Sequence, residues 1–307
     1  MLTVECILTV FLSVQDVTLD RLLENLGSES LELREVASQA LLEIGEPALA
    51  KLRTLASSLD GERATRAKSL IGMIEQRSEW TRQLKEAPAE EQERIIVKIR
   101  EEAERGAEGT PPSGKSRRPD LIPILRGSLE HPIKEVRAQA AWALAYMNHE
   151  KSLPVLLEAV QKPKDRDVRY PACLGLTWLG RDESRRLAIV PALEKVFESL
   201  DPKNLDARFD IAETLLVLGK PSGPEIYEDL LKTRPGRAAI AAKAMAHYAR
   251  KETIALIIKR MASAPTEDAK VMGESLERLT GQHFGDDVAR WYRWFEKNRA
   301  SFPEQIE

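Results

Sequence analysis

The sequence predicts an all-α fold, an α-solenoid in which antiparallel helix pairs stack one against the next, and three observations predict it. Apolar residues are 43% of the 307 positions and aromatic residues only 5%, so the apolar content is mostly the Leu, Ala, Ile and Val that fill seams between helices. One thirteen-residue pattern recurs without gaps at 33–45, 136–148, 168–180 and 207–219. Proline-led apolar stretches stand between the copies, and strand-type alternation is almost absent.

Each copy starts with an apolar or small residue followed by arginine: Leu33-Arg34, Val136-Arg137, Val168-Arg169 and Ala207-Arg208. Apolar or small residues then fall four, seven, eight and eleven places after the first, as in Ala140, Ala143, Leu144 and Met147, or Ala172, Gly175, Leu176 and Leu179. Those offsets share one face of an α-helix of about three turns. Gly45, Gly180 and Gly219 stand where a left-handed residue is expected to stop it.

Pro47, Pro123, Pro154, Pro191 and Pro224 each open an apolar stretch. Proline fits a first helical turn because the amide it lacks would have had no partner there. Every unit therefore reads as helix, short turn, helix. Weaker copies without the arginine cover 63–74 and 238–249, and the interval between copies is roughly thirty to forty residues, the usual size of a helical repeat. One gap, between Arg63 and Val136, is about two units long, and Ile95, Ile96 and Ile99 mark a further helix inside it.

In chain order this gives five parts. Residues 1–17 are an apolar N-terminal segment too short to span a bilayer, which takes about 20 apolar residues. It reads as a signal-like segment or as a helix capping the array; no Lys or Arg precedes it, Glu5 interrupts it, and Ser13 to Gln15 lack the paired small residues of a cleavage site. Residues 18–105 are N-terminal repeats. Residues 106–118, rich in Gly, Pro and Ser with no apolar anchor, are expected to form a flexible loop. Residues 119–278 are C-terminal repeats. Residues 279–307 hold a turn-rich connector, Leu279 to Gly285, and a closing helix over 288–298 whose Trp291, Trp294 and Phe295 share one face. Those rings are expected to close the open end of the array, with a partner-docking patch as the alternative.

The charge balance, 46 basic against 49 acidic residues for a net −3, provides no overall field toward nucleic acid. Cys6 and Cys173 are too far apart in sequence to suggest a disulfide framework or a zinc knuckle.

The pattern Val-Arg-x-x-Ala-x-x-Ala-Leu-x-x-Met-Asn at 136–148, with its proline-led helix upstream, resembles the HEAT-like repeats first described in phycobilin lyases. The resemblance covers most of residues 18–278. It implies the α-solenoid and leaves function open, since such repeats occur in lyases, hydroxylases, DNA glycosylases and plain scaffolds. The opening from Asp16 to Leu49 is similar to HEAT-repeat proteins that bacteria export after a signal segment, which tilts the expected localisation toward export.

Arg34, Arg137, Arg169 and Arg208 occupy one repeat position and are expected to stack as a structural ladder, with Glu32, Glu135, Asp167 and Asp206 close enough to join it; anion binding is the alternative. The four histidines, His131, His149, His247 and His283, have no metal-site spacing. Hydroxylases on similar repeats use several His-Glu pairs to hold two irons, and here only His149-Glu150 matches. A basic run of Lys162, Lys164, Arg166, Arg169, Arg181, Arg185 and Arg186, near Trp142, Tyr170 and Trp178, resembles the basic groove of repeat-type DNA glycosylases. Interleaved Asp165, Asp167, Asp182 and Glu183 largely cancel it.

No phosphate loop, nucleophile elbow or zinc-protease motif occurs in the chain. The function expected is therefore a non-catalytic scaffold that needs no cofactor or metal and binds a protein or peptide, with nucleic acid and a membrane span not expected. The binding face is expected to comprise Gln139, Trp142, Tyr146, Arg169, Tyr170, Trp178, Arg208 and Phe209. The alternative is an enzyme on the same scaffold, phycobilin lyase-like or alkylpurine DNA glycosylase-like.

Overall fold

A computed structural model of the chain describes residues 19–58, 61–107, 109–162, 165–220, 222–247 and 251–302. The N-terminal segment 1–17, Lys164 and Ala249 lie outside these. All regular secondary structure among the described residues is helical, with no strand. The chain forms two compact units that divide between Ser152 and Leu153.

The first unit contains α1 (Leu19–Asn25), α2 (Leu31–Ile44), α3 (Leu49–Ala56), α4 (Gly61–Glu86), α5 (Ala89–Glu104), α6 (Ile122–Ser128) and α7 (Lys134–Tyr146). Short first helices α1, α3 and α6 pair with second helices α2, α4 and α7, and second helices also pack on one another, α2 on α4 and α5 on α7. The second unit repeats the plan. Its pairs are α8 (Leu153–Ala159) with α9 (Arg166–Leu179), α10 (Glu183–Ser199) with α11 (Leu205–Val217), α12 (Pro224–Thr233) with α13 (Ala238–Met245) and α14 (Lys251–Met261) with α15 (Thr266–Thr280). Helix α16 (Val288–Asn298) then packs on α14. No helix of the described residues is long and apolar enough to cross a membrane.

The repeat register explains the packing. Val136, Ala140, Ala143 and Leu144 of α7 and Met147 at its end are fully buried, as are Val168, Ala172 and Leu176 of α9 and Ala207, Ile211 and Leu215 of α11. Small residues at the fourth and seventh offsets of α7 and α9, Ala140, Ala143, Ala172 and Gly175, let second helices of the same unit approach closely, and burial of the apolar stripe is the main stabilising contribution within each unit.

Four expectations are corrected. Pro191 does not open a helix: α10 begins at Glu183, where the Asp182 carboxylate accepts the Arg185 amide at 3.1 Å, and the proline sits inside it. The capping aspartate set the start, and the carbonyl that a residue-191 amide would have bonded belongs to Leu187, whose side chain is exposed to water. Gly180 is not left-handed, having φ −74°. A Cβ there would lie 2.5 Å from Leu218 Cδ2, so a larger residue would require the Leu218 side chain to shift. The weak copy at 63–74 does not end at Ile74; α4 runs on to Glu86 because no breaker follows before Pro88, and Trp80 and Leu84 extend its buried face.

The 106–118 segment, expected to be an unanchored flexible loop dividing the array, is tied into the first unit. The Ser116 amide donates to the Met147 carbonyl at 2.8 Å, the Arg117 amide to Arg105 at 3.1 Å, and the Asn148 side chain to the Gly114 carbonyl at 2.9 Å. Arg118 forks onto the Asp120 carboxylate at 2.9 and 3.1 Å, with both side chains buried and Glu102 3.6 Å away. Its anchors are polar, so a search for apolar anchors misses them.

Candidate functional site: the exposed surface of the second helices

In the first unit three of the expected binding residues come together. Gln139, Trp142 and Tyr146 are spaced at three and four along α7, and Arg100 of α5 reaches across to them. Its Nη1 donates to Gln139 Oε1 at 2.8 Å, its guanidinium lies 5.5 Å from the centre of the Tyr146 ring, and its Nε donates to Glu104 at 2.6 Å. The Trp142 and Tyr146 rings are 5.8 Å apart, and the Tyr146 hydroxyl is 3.3 Å from Thr110 Oγ1. Held on two sides, Tyr146 presents a half-buried ring rather than a mobile one.

Arg100, Glu104, Thr110 and Tyr146 line an open groove of about 850 Å³, together with Met73, Glu101, Arg105 and Arg117. A second groove of about 590 Å³ between α2 and α4, lined by Glu35, Gln39 and Arg66, shares Met73 and Arg117 with it. Arg105 and Arg117 are exposed, and Arg105 pairs with Glu102 at 2.9 Å. The combined surface thus offers cations, carboxylates and a tyrosine without a dominant charge.

In the second unit the remaining expected residues separate. Arg169, Trp178 and Phe209 are buried and are withdrawn from the binding face. Arg169 donates to Asp210 Oδ2 through Nε at 2.9 Å and Nη2 at 2.7 Å. Phe209 turns toward the first helix α12, edge-on to Tyr227 at 6.3 Å, with the Arg237 guanidinium 4.6 Å from its ring centre. Arg208 is mostly covered, donating to Glu225 at 2.8 Å and stacking 4.5 Å from the Phe197 ring. Only Tyr170 is exposed, with Arg166 5.8 Å from its ring.

The arginine position serves the fold. Arg34 Nη1 donates to the carbonyls of Ser28 and Glu29 at 2.6 and 2.9 Å, and Arg137 Nη1 to those of His131 and Pro132 at 2.8 and 3.0 Å. In both copies the guanidinium holds the turn that leads into its own helix. Two of the four histidines also hold turns: His131 Nδ1 accepts the Ile133 amide at 3.2 Å, and His149 Nδ1 accepts the Lys151 amide at 3.1 Å. No group of three or more His, Cys, Asp or Glu that could hold a metal occurs among the described residues.

Sequence reasoning missed Arg100, Arg105, Arg117 and Thr110, which sit on α5 and the loop where the repeat pattern is silent. It also missed Glu213 of α11, whose carboxyl is raised above the ordinary range by burial and by the neighbouring Asp210 charge, against the pull of Arg237 and Arg166. Cys173 is buried and its thiol is pushed up to about 12, chiefly by burial.

At the chain end Trp291 and Phe295 are buried as expected. The indole of Trp291 donates to the Gly285 carbonyl at 2.7 Å, and its ring packs edge-on to Phe284 at 4.8 Å and Trp294 at 6.1 Å. Tyr292 faces outward into an apolar groove of about 890 Å³ between α14 and α16.

Residues 113–177 match the family model described as HEAT repeats. Solved structures similar to the chain include an engineered protein at 19% identity, covering 93% of this chain and 89% of that one with a TM-score of 0.34. Another is the complex of CpcE and CpcF of phycocyanin lyase from Nostoc sp. PCC7120, at 16% identity, covering 92% and 95% with a TM-score of 0.31. No curated protein matches the sequence.

Proposed function

We propose that this HEAT-like repeat protein is a non-catalytic scaffold that binds a protein or peptide partner along the second-helix surface of its first unit. One observation carries the reading: the groove of about 850 Å³ beside Tyr146 is open and of mixed charge. An enclosed pocket converging on one carboxylate would favour an enzyme instead. Arg100, braced by Gln139, Glu104 and the Tyr146 ring, fixes the wall of the groove, and the exposed Arg105 and Arg117 can meet carboxylates or carbonyls of an extended segment.

Affinity capture from the native cell extract tests this. Arg105→Glu with Arg117→Glu should lose a partner that the wild-type chain retains, while Lys195→Glu on the first helix α10 should keep it. Recovery of DNA or of a bilin pigment, unaffected by the groove variants, would replace the scaffold reading with one of the enzyme classes.

A further inference from the structure

The groove of about 890 Å³ between α14 and α16 has a floor that includes Ile258 and Phe295, both buried. Its α14 wall presents Glu252, Ala255, Lys259 and, just past the helix end, Ala262. Its α16 wall presents Ala289, Tyr292, Glu296 and, just past the end, Arg299. All of these wall residues are exposed, Tyr292 to 58%. In both rows the later members fall three, seven and ten places after the first. That is the spacing of a coiled-coil seam, the line along which one helix receives another. Ala255, Ala262 and Ala289 are small positions beside the projecting Tyr292, so the face carries both a knob and places for one.

The charges of the groove say what would cover it. Glu252 and Glu296 stand against Lys259 and Arg299, so there is no net field that would select a wholly acidic or a wholly basic partner. None of these four is ion-paired among the described residues. On α14 the two signs are separated along the helix: Glu252 precedes Lys259 by two turns, about 10 Å, on the same face. A row arranged in this way complements itself when turned end for end, because each end then meets the opposite sign. We propose that this face is an isologous interface with a second copy of the chain. The two α14 helices run antiparallel across a two-fold axis, Glu252 of each copy lies opposite the partner's Lys259, and Tyr292 is withdrawn from water. The contact is then a four-helix packing of α14 and α16 with the same helices of the second copy, its aromatic residue inside and its charges at the rim.

Sedimentation equilibrium of the full chain over a concentration series tests this. The wild-type chain should show a reversible monomer-dimer equilibrium, and Tyr292→Arg should raise its dissociation constant at least about tenfold. Glu252→Lys alone and Lys259→Glu alone each set like charges opposite one another and should weaken association to a similar degree. Mixed in equal amounts, these two variants should form a heterodimer of nearly wild-type affinity, because both contacts again join opposite signs; that recovery also shows that the variants are folded. A one-chain mass at every concentration would leave the groove to a foreign helix or an amphiphile, and a dimer indifferent to Tyr292→Arg would place the contact elsewhere; either overturns the proposal. A mixture that associates no better than its components overturns it as well, since Glu252 and Lys259 would then not face each other across the axis.

Discussion

Arg169 on α9 and Asp210 on α11 form a buried ion pair between successive second helices, with two hydrogen bonds of 2.9 and 2.7 Å to one carboxylate oxygen. Both side chains are almost wholly out of water. Removing one partner strands the other, which for buried pairs costs about 3–5 kcal/mol, whereas replacing both by apolar residues is often close to neutral. Asp210→Ala should therefore lower stability strongly, and Arg169→Met with Asp210→Leu should recover most of the loss. Urea unfolding of the single and double variants checks this, and a double variant as unstable as Asp210→Ala would show that the pair fixes the helix register through more than its charges.

Glu213 lies one turn from that pair and has a raised carboxyl. A carboxyl whose folded pKa exceeds its unfolded value binds the proton more tightly when folded. Stability is then fullest below the unfolded value, near 4.3, and falls as pH rises through the folded one. Glu213→Gln should raise the Tm at pH 7, and the gain should fade as the buffer is taken to about pH 4. Thermal melts at the two pH values check it; an equal gain at both would assign the effect to packing instead of ionisation.

Two glycines should respond in opposite directions. A Cβ at Gly273 would lie 2.2 Å from the Gly285 carbonyl oxygen, a backbone atom of the connector that also receives the Trp291 indole. Gly273→Ala should cost about 1–3 kcal/mol, as overpacking does. Gly72, inside α4, has no atom within 4 Å of its would-be Cβ, so Gly72→Ala should stabilise by about 0.5–1 kcal/mol through helix propensity. Chemical denaturation of both variants checks the pair.

The repeat made much of this legible in advance. Val136, Val168 and Ala207 could be placed in the core from spacing alone, because a helix that buries one face must repeat its apolar residues along that face. The bounds of α16, 288–298, followed from its aromatic spacing and the turn before it. What was hidden depends on neighbours distant in sequence. Trp178 and Phe209 look exposed on an isolated helix; both are buried, Phe209 against Tyr227 of the first helix α12. The 106–118 segment was misread because Arg118 anchors it by charge, through Asp120, Glu102 and Gln76. The groove at Tyr146 needed Arg100, thirty-nine residues before Gln139 and outside every copy of the pattern.

The aromatic end of the chain admits a graded test. Trp291 is fully buried and combines a hydrogen bond to Gly285 with edge-on contacts to Phe284 and Trp294, while Trp294 is only half-buried and packs outward on Phe302 at 5.7 Å. Trp291→Ala removes a core ring and should cost about 3–5 kcal/mol. Trp291→Phe keeps a ring but leaves the Gly285 carbonyl without its donor, so its loss should be smaller, about 1–3 kcal/mol. Trp294→Ala should cost less than Trp291→Ala because part of its surface is already in water. Hydrogen exchange localises the damage: if the cluster closes the stack, Trp291→Ala should speed exchange in α14 and α15 before α9 and α11. Uniform acceleration through the second unit would instead make these four helix pairs a single cooperative block in which the terminal helix has no separate role.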